Sequence, residues 1–285
     1  MTENTTPALQ IQNQTLDAER ALYHLVSPIV TSCSFDGPAD GESALKECTD
    51  VQVDRCFFNL RYPLWHCNGA RISDSEMTNL CRAPLWYCQN VHLSRNHIHG
   101  VKALRECRHV TIEACDIQST EFGWSVRDIQ IQSSKIEGEY LFLRAKDLRV
   151  TSLHLLGKYS LQYVKGATLT DCTLDTKDAF WHAKRVVVRD SVIRGEYLGW
   201  YAEDITFERC RIIGTQPLCY CKNLTMIDCE MVDADLAFEK SSVQATLTAP
   251  IDSIKNPLSG CITLPSVGEI IREDKRYRGE ILVTG

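Results

Sequence analysis

Asp178 and Glu196 are the two residues of this chain best placed, by type and spacing, for acid–base chemistry. They stand 18 apart in a sequence that repeats every 19 residues, so they fall in adjacent repeats and nearly adjacent positions. If neighbouring repeats stack as paired strands do, the two carboxylates are expected about 5–7 Å apart. That range overlaps the separation of the paired carboxylates of glycoside chemistry. His182 follows Asp178 by four residues, with Tyr201 one repeat above it, and can serve as acid or base. An enzyme built on these three residues would be a glycoside hydrolase or a polysaccharide lyase. Lys177 beside them supports the opposite reading, an ordinary salt bridge, and Glu121 with Glu139 is a similar but poorer pair.

The same stretch of each repeat collects the aromatic and charged residues. It reads Arg61-Tyr-Pro-Leu-Trp-His66, Arg82-Ala-Pro-Leu-Trp-Tyr87, Glu121-Phe-Gly-Trp124 and Glu139-Tyr-Leu-Phe-Leu-Arg144 early in the chain. Later it reads Lys158-Tyr-Ser-Leu-Gln-Tyr163, Lys177-Asp-Ala-Phe-Trp-His182, Glu196-Tyr-Leu-Gly-Trp-Tyr201 and Thr215-Gln-Pro-Leu-Cys-Tyr220. All five tryptophans, Trp65, Trp86, Trp124, Trp181 and Trp200, share one column, together with Lys46, Arg105 and Gln162. A dry core would not accept those three polar residues unpaired, so the column is expected on a corner or outer face. The column before it is Leu45, Leu64, Leu85, Leu104, Phe142, Leu161, Phe180 and Leu218, and is expected to point inward.

Two readings of this face compete. In one it is a ligand groove, with Tyr62, Trp65, His66, Trp86, Tyr87, Glu121, Trp124, Glu139, Tyr140, Lys158, Tyr159, Lys177, Trp181, Tyr197, Trp200, Tyr201 and Tyr220 lining it. A flat, hydroxyl-rich carbohydrate or glycoconjugate suits such residues on a rigid scaffold. In the other it is a ladder of stacked rings and alternating charges that holds the repeats together, or an aromatic face that meets a protein partner.

The element that must position these residues is the repeat itself. Apolar–x–apolar pairs recur from Val51/Val53 through Val91/Leu93, Val110/Ile112 and Val186/Val188 to Ile262/Leu264. The step is 19 residues throughout, apart from one of 21 between Ala70 and Val91. Short, β-branched, alternating segments at a fixed period predict an all-β right-handed parallel β-helix of about twelve coils. One domain over 1–285 is expected, with an N-terminal cap at 1–30, coils over 31–264 and a C-terminal cap at 265–285. Asp17 to Leu25 reads as a short amphipathic helix in the first cap. Arg272 to Arg278 reads as a solvated charged stretch in the second.

Fourteen cysteines fall into columns of this repeat. Cys48, Cys67, Cys88, Cys107 and Cys221 alternate with Val126, Ala145 and Ala183, and Cys56, Cys115, Cys172, Cys210 and Cys229 alternate with Ser134 and Ser191. Cysteine trading with Ala, Val and Ser is a small buried side chain. With no apolar leader among residues 1–13, reduced thiols and a cytoplasmic location are expected. The formal net charge of −6 argues against a nucleic-acid partner, and the lack of any long apolar run argues against a membrane span. His92, His97, His99 and His109 cluster without a third ligand in view, so neither a metal nor a cofactor is expected. A homo-oligomer is compatible with the sequence.

The motifs Ala39–Lys46, Leu60–His66, Thr176–His182, Gly195–Tyr201 and Gly214–Tyr220 resemble an uncharacterised microbial family, a domain of unknown function with a right-handed β-helix fold. The resemblance covers nearly the whole chain and implies the fold without implying a reaction. The wider pectin-lyase-like superfamily includes polysaccharide lyases and hydrolases, but none of their catalytic motifs stands in register here.

Overall fold

In the computed structural model, which describes residues 9–285, the chain is all-β and winds as a parallel β-solenoid. The described residues fall into two compact units, one ending at Arg127 and the other running from Asp128 to Gly285. Every coil has three sides. Side A is in most coils a six-residue strand with alternating buried and outward residues, side B is a shorter strand, and side C is a mostly irregular segment leading back to side A, with short paired strands such as Leu64–Trp65 and Leu85–Trp86.

In the first unit, side A stacks Thr49–Asp54, Asn68–Ser73, Gln89–Ser94 and Arg108–Glu113. Their register places Val51 against Ala70, Ala70 against Val91 and Val91 against Val110. The 21-residue step is therefore absorbed outside the ladder. Coiling also begins two turns earlier than the repeat suggests, because Ile11 pairs with Val30 and Val30 with Val53. The expected amphipathic helix at Asp17–Leu25 is not formed. Arg20, Leu22 and His24 give their backbone N–H groups to Glu42, Ala44 and Lys46 of the next coil rather than along their own chain. With Arg20 and His24 in the left-handed region, the segment is side C of a full coil. The first eight residues of the expected N-terminal cap lie outside the described residues.

In the second unit, side A stacks Lys146–Thr151, Lys165–Thr170, Lys184–Arg189, Glu203–Glu208 and the start of Lys222–Val232. Side B stacks Lys135–Glu139, His154–Lys158, Thr173–Lys177, Val192–Arg194 and Arg211–Ile213. The region expected to cap the C-terminus carries on the coil pattern: Val267–Ile271 pairs with Ile251–Lys255, and Glu280–Val283 with Ser259–Leu264.

Over much of side C every second residue is in the left-handed region. Asp178, Phe180 and His182 have φ of 55°, 60° and 55°. Their N–H groups point alternately up and down, to Glu196 (3.0 Å), Ser160 (3.1 Å) and Trp200 (2.9 Å) of the flanking coils. Around these residues side C is thus hydrogen-bonded coil to coil without being a β-sheet, whereas Leu64–Trp65 and Leu85–Trp86 pair there as short parallel strands. None of the non-glycine residues with positive φ is Val, Ile or Thr, the types for which that region is most strained. Phe180 points inward and is buried, as are Phe142, Leu161 and Leu218 of the same column, as that column predicts.

The cysteines lie inside, thirteen buried and Cys261 half-buried, all as free thiols. The corner between sides A and B explains one column. There Cys56 N donates to Ser75 Oγ (3.0 Å), Ser75 N to Asn96 Oδ1 (3.0 Å) and Cys172 N to Ser191 Oγ (3.0 Å). At these corners an N–H without a strand partner is taken up by a small side chain from the next coil.

Candidate functional site

The aromatic residues expected to form a site lie on side C. In the second unit they form two parallel rows. One row is Gln162, Trp181 and Trp200, all half-buried. Gln162 Nε2 donates to Asp178 O (3.0 Å), Trp181 Nε1 to Tyr197 O (2.7 Å) and Trp200 Nε1 to Gln216 O (2.8 Å). Each accepting carbonyl belongs to a left-handed residue of the next coil, so this row clamps the coils at their irregular backbone. Trp181 and Trp200 also stack, with centroids 5.4 Å apart and planes 4° from parallel.

The second row is Arg144, Tyr163, His182, Tyr201 and Tyr220. The Arg144 guanidinium lies 5.9 Å from the centre of the Tyr163 ring. Tyr163, His182, Tyr201 and Tyr220 then follow at 4.9, 5.0 and 4.8 Å, with planes 8–14° from parallel. Lys240 covers the last ring at 5.6 Å, and Tyr220 Oη approaches Glu239 Oε2 at 3.4 Å. Tyr163 and Tyr201 remain 43% and 45% exposed. A ring sandwiched between two others offers solvent its edge, so this row presents phenol and imidazole edges one coil apart.

The first unit carries a shorter version of the same face. Trp65 and Trp86 stack at 5.3 Å and donate to Ala83 O (2.7 Å) and Lys102 O (2.8 Å), again left-handed residues. Arg105 takes the next place in the column, its guanidinium 5.0 Å from the Trp86 ring and 5.1 Å from that of Trp124. This contact accounts for an arginine in a tryptophan column. Tyr62 packs on Trp65 at 4.7 Å, His66 stacks on Tyr87 at 5.0 Å, and Glu121 pairs with Lys102 at 3.4 Å.

The carboxylates differ in setting. Glu196 is exposed and ion-paired to Lys177 (2.8 Å), as Glu139 is to Lys158 (3.0 Å). Lys177 also lies over the Tyr197 ring at 5.1 Å, and Tyr140 stacks on Tyr159 at 4.8 Å. Asp178 is only 6% exposed. Burial pushes its carboxyl above the ordinary aspartate value; the Lys177 charge opposes that shift and the Glu196 charge adds to it. The charge ladder therefore runs along the end of side B, next to the aromatic rows of side C. Asp178 is set apart by desolvation rather than by a salt bridge.

Arg144 and Tyr163 fall within the stretch read as the face but not among its expected lining residues, although both stand at 19-residue offsets from His182 and Tyr201. Alternation within side C hid them, because it is set by backbone handedness and not by hydrophobicity. Among the described residues, no three His, Cys, Asp or Glu side chains converge as a metal site requires. His92 instead lies 3.9 Å from Glu113.

The chain belongs to the family described as "Protein of unknown function (DUF3737)", which it matches over residues 9–282. No curated protein matches it. Among solved structures it is similar to the A-module of mannuronan C-5 epimerase AlgE4 from Azotobacter vinelandii, with 10% identity over 84% of this chain and 82% of that one and a TM-score of 0.29. It is also similar to PfbA, a surface adhesin of Streptococcus pneumoniae, with 8% identity over 96% and 84% and a TM-score of 0.36. A third is the catalytic domain of a GH87 α-1,3-glucanase, with 8% identity over 99% and 65% and a TM-score of 0.30. These likenesses are distant, and no residue role is carried over from them.

Proposed function

We propose that this protein binds a carbohydrate, or the glycan of a glycoconjugate, along side C of its second unit. The observation that carries the reading is the exposed stack from Tyr163 through His182 and Tyr201 to Tyr220. Among the described residues, the Tyr163 and Tyr201 hydroxyls and the His182 ring nitrogens have no hydrogen-bond partner. They are held rigidly by their neighbours and repeat at the rise of the coils, so their ordering entropy is spent on folding and not on binding. The ring faces are covered, so a sugar meets hydroxyl and imidazole edges rather than lying flat on an aromatic plane. A polymer whose hydroxyls recur along its length is the natural counterpart.

The test is a glycan-array screen of the whole protein, followed by Tyr163→Phe and Tyr201→Phe. These variants keep the stack and remove only the hydroxyls. Each is expected to weaken a captured glycan about two- to tenfold, the worth of one neutral hydrogen bond. Absence of any captured glycan, or unchanged binding by both variants, counts against the reading. Retention of a protein partner in place of a glycan would favour an interaction face.

One observation favours a second reading, in which the bound glycan is also cleaved: Asp178 is a buried carboxyl with a raised pKa, in the coil next to the ionisable Glu196. Asp178 would serve as the acid, Glu196 as its partner carboxylate and His182 as an alternative proton carrier. Loss of turnover in Asp178→Asn and Glu196→Gln, with the glycan still bound, would support it.

A further inference from the structure

Side A of the first unit carries a polar groove that the aromatic face does not explain. Its centre is a rib of three outward side chains, Gln52, Arg71 and His92, held in register on successive coils. A hollow of 660 Å³ lies on one side of the rib, against Asp50, Asn68, Gly69 and Asn90. Another of 470 Å³ lies on the other side, against Asp54, Ser73, Ser94 and Arg95. We propose that this groove binds a small hydroxylated anion, a sugar acid or a sugar phosphate, with the anionic group on Arg71 and the hydroxyls on Asp50, Gln52 and Asn90.

The argument rests on which charges are already matched. Arg95 is clamped to Asp74 through two hydrogen bonds of 2.7 and 2.6 Å. Asp54 pairs with Arg55 and accepts from Ser73 Oγ at 2.8 Å. Glu113 has His92 at 3.9 Å. Among the described residues, Arg71 alone of these groove cations has neither an ion pair nor a hydrogen bond. It stands between the two hollows with its planar, five-donor fork free, the geometry that takes a carboxylate or phosphate two oxygens at a time.

The opposite wall supplies an acceptor. Gly69 takes a left-handed position, φ +76°, in the column that elsewhere holds Asp50, Asn90 and His109. The Asp50 carboxylate lies over it, with Oδ1 only 2.2 Å from where a Cβ would stand. Having no side chain there opens the hollow and leaves the carboxylate facing it. Asn90 Nδ2 donates to Asn68 Oδ1 at 2.7 Å, which fixes the amide beside it. A simple anion would gain nothing from Asp50, and a neutral sugar nothing from the charge of Arg71. A ligand with both an acidic group and hydroxyl donors uses the whole wall.

The experiment is a side-chain NMR titration of the full chain with glucuronate, glucose 6-phosphate and glucose, following the Arg71 Nε–H and His92 ring signals. At least one anionic sugar is expected to shift them saturably while glucose does not, and the tighter of the two identifies the anion. Arg71→Gln should weaken that ligand about tenfold or more, and Arg71→Lys should preserve a phosphate better than a carboxylate. Arg71 is exposed, so an unchanged melting temperature confirms that both variants fold. Failure of both anions to bind, equal binding of glucose, or full affinity in Arg71→Gln would overturn the assignment. The Tyr163→Phe and Tyr201→Phe variants should leave this binding unchanged, which separates it from the side C reading.

Discussion

Trp181 and Trp200 lie one above the other, 5.4 Å between ring centres and 4° from parallel, and each indole N–H is bound to a carbonyl of the coil that follows its own. The column therefore works first as a clamp. Replacing Trp200 with Phe keeps a ring in the stack but deletes the bond to Gln216 O. A loss of about 1–2 kcal/mol is expected, from one hydrogen bond and part of an aromatic pair. Urea unfolding followed by circular dichroism measures it. An unchanged midpoint would show that the indole N–H contributes nothing beyond its exchange with water.

Asp178 sets a pH dependence of opposite sign to that of the surface ion pairs. Its folded pKa is raised by burial, so its contribution to stability is fully present below the ordinary aspartate value and is lost as pH rises through the folded value. Asp74, Asp190 and Glu208 are lowered, by hydrogen bonds from Arg95, Arg209 and Arg189 respectively, and their contributions are lost as pH falls. Asp178→Asn keeps a side chain that tolerates the left-handed backbone and removes the buried charge. It should raise the melting temperature at pH 7 relative to the native protein and lose that advantage near pH 3. A parallel pair of melting curves at both pH values would contradict the assignment.

Five of the buried thiols should be slow. Burial pushes Cys48 and Cys56 up to about 11, and Cys81, Cys219 and Cys221 up to about 12. Since the thiolate is the reactive form, these cysteines should resist a disulfide reagent at pH 8 in the native state and react fully in denaturant. Finding fewer than fourteen reactive thiols after unfolding without reductant would reveal disulfides.

Gly157 should not tolerate a methyl group. A Cβ there would meet the Gly138 carbonyl oxygen at 1.8 Å, a backbone atom that cannot swing aside. Gly157→Ala is expected to cost about 1–3 kcal/mol through forced separation of two coils. A melting curve superimposable on that of the native protein would show that the coils separate at little cost.

Much of this was written in the residues. The apolar pairs of side A gave the coil, its period and its register, because a β-strand displays its inward face every second residue. The inward column from Leu45 to Leu218 was legible for the same reason. The helix read into Asp17–Leu25 failed because the residues that side C half-buries there, Asp17, Ala21, Leu22 and Leu25, happen to fall at helical spacing in a short window. Its backbone bonds run between coils and leave no local signature. Among the site residues, the presence of Lys46, Arg105 and Gln162 in the tryptophan column signalled a half-exposed face correctly. What sequence could not supply was the direction of each ring. That rings would stack and show only their edges depends on the coil rise and on the left-handed residues holding them. The groove around Arg71 was hidden for another reason: an unmatched arginine is recognised only once its neighbours' partners are known.

The left-handed positions also leave a mark on how this chain can change over time. A residue such as Tyr163, His182 or Tyr201 can be exchanged for Asn, Asp, Lys or Leu without disturbing the path of the backbone. Exchange for Val, Ile or Thr puts a branched Cβ where the following peptide must pass. On side A the preference reverses, since Val186 and Val188 sit where branched residues pack best. Tolerance to mutation should therefore oscillate along the gene with the 19-residue period of the coil, favouring opposite residue types in each half-cycle. A saturation scan read out only by abundance would recover the coil boundaries from that oscillation, with no knowledge of what the protein binds.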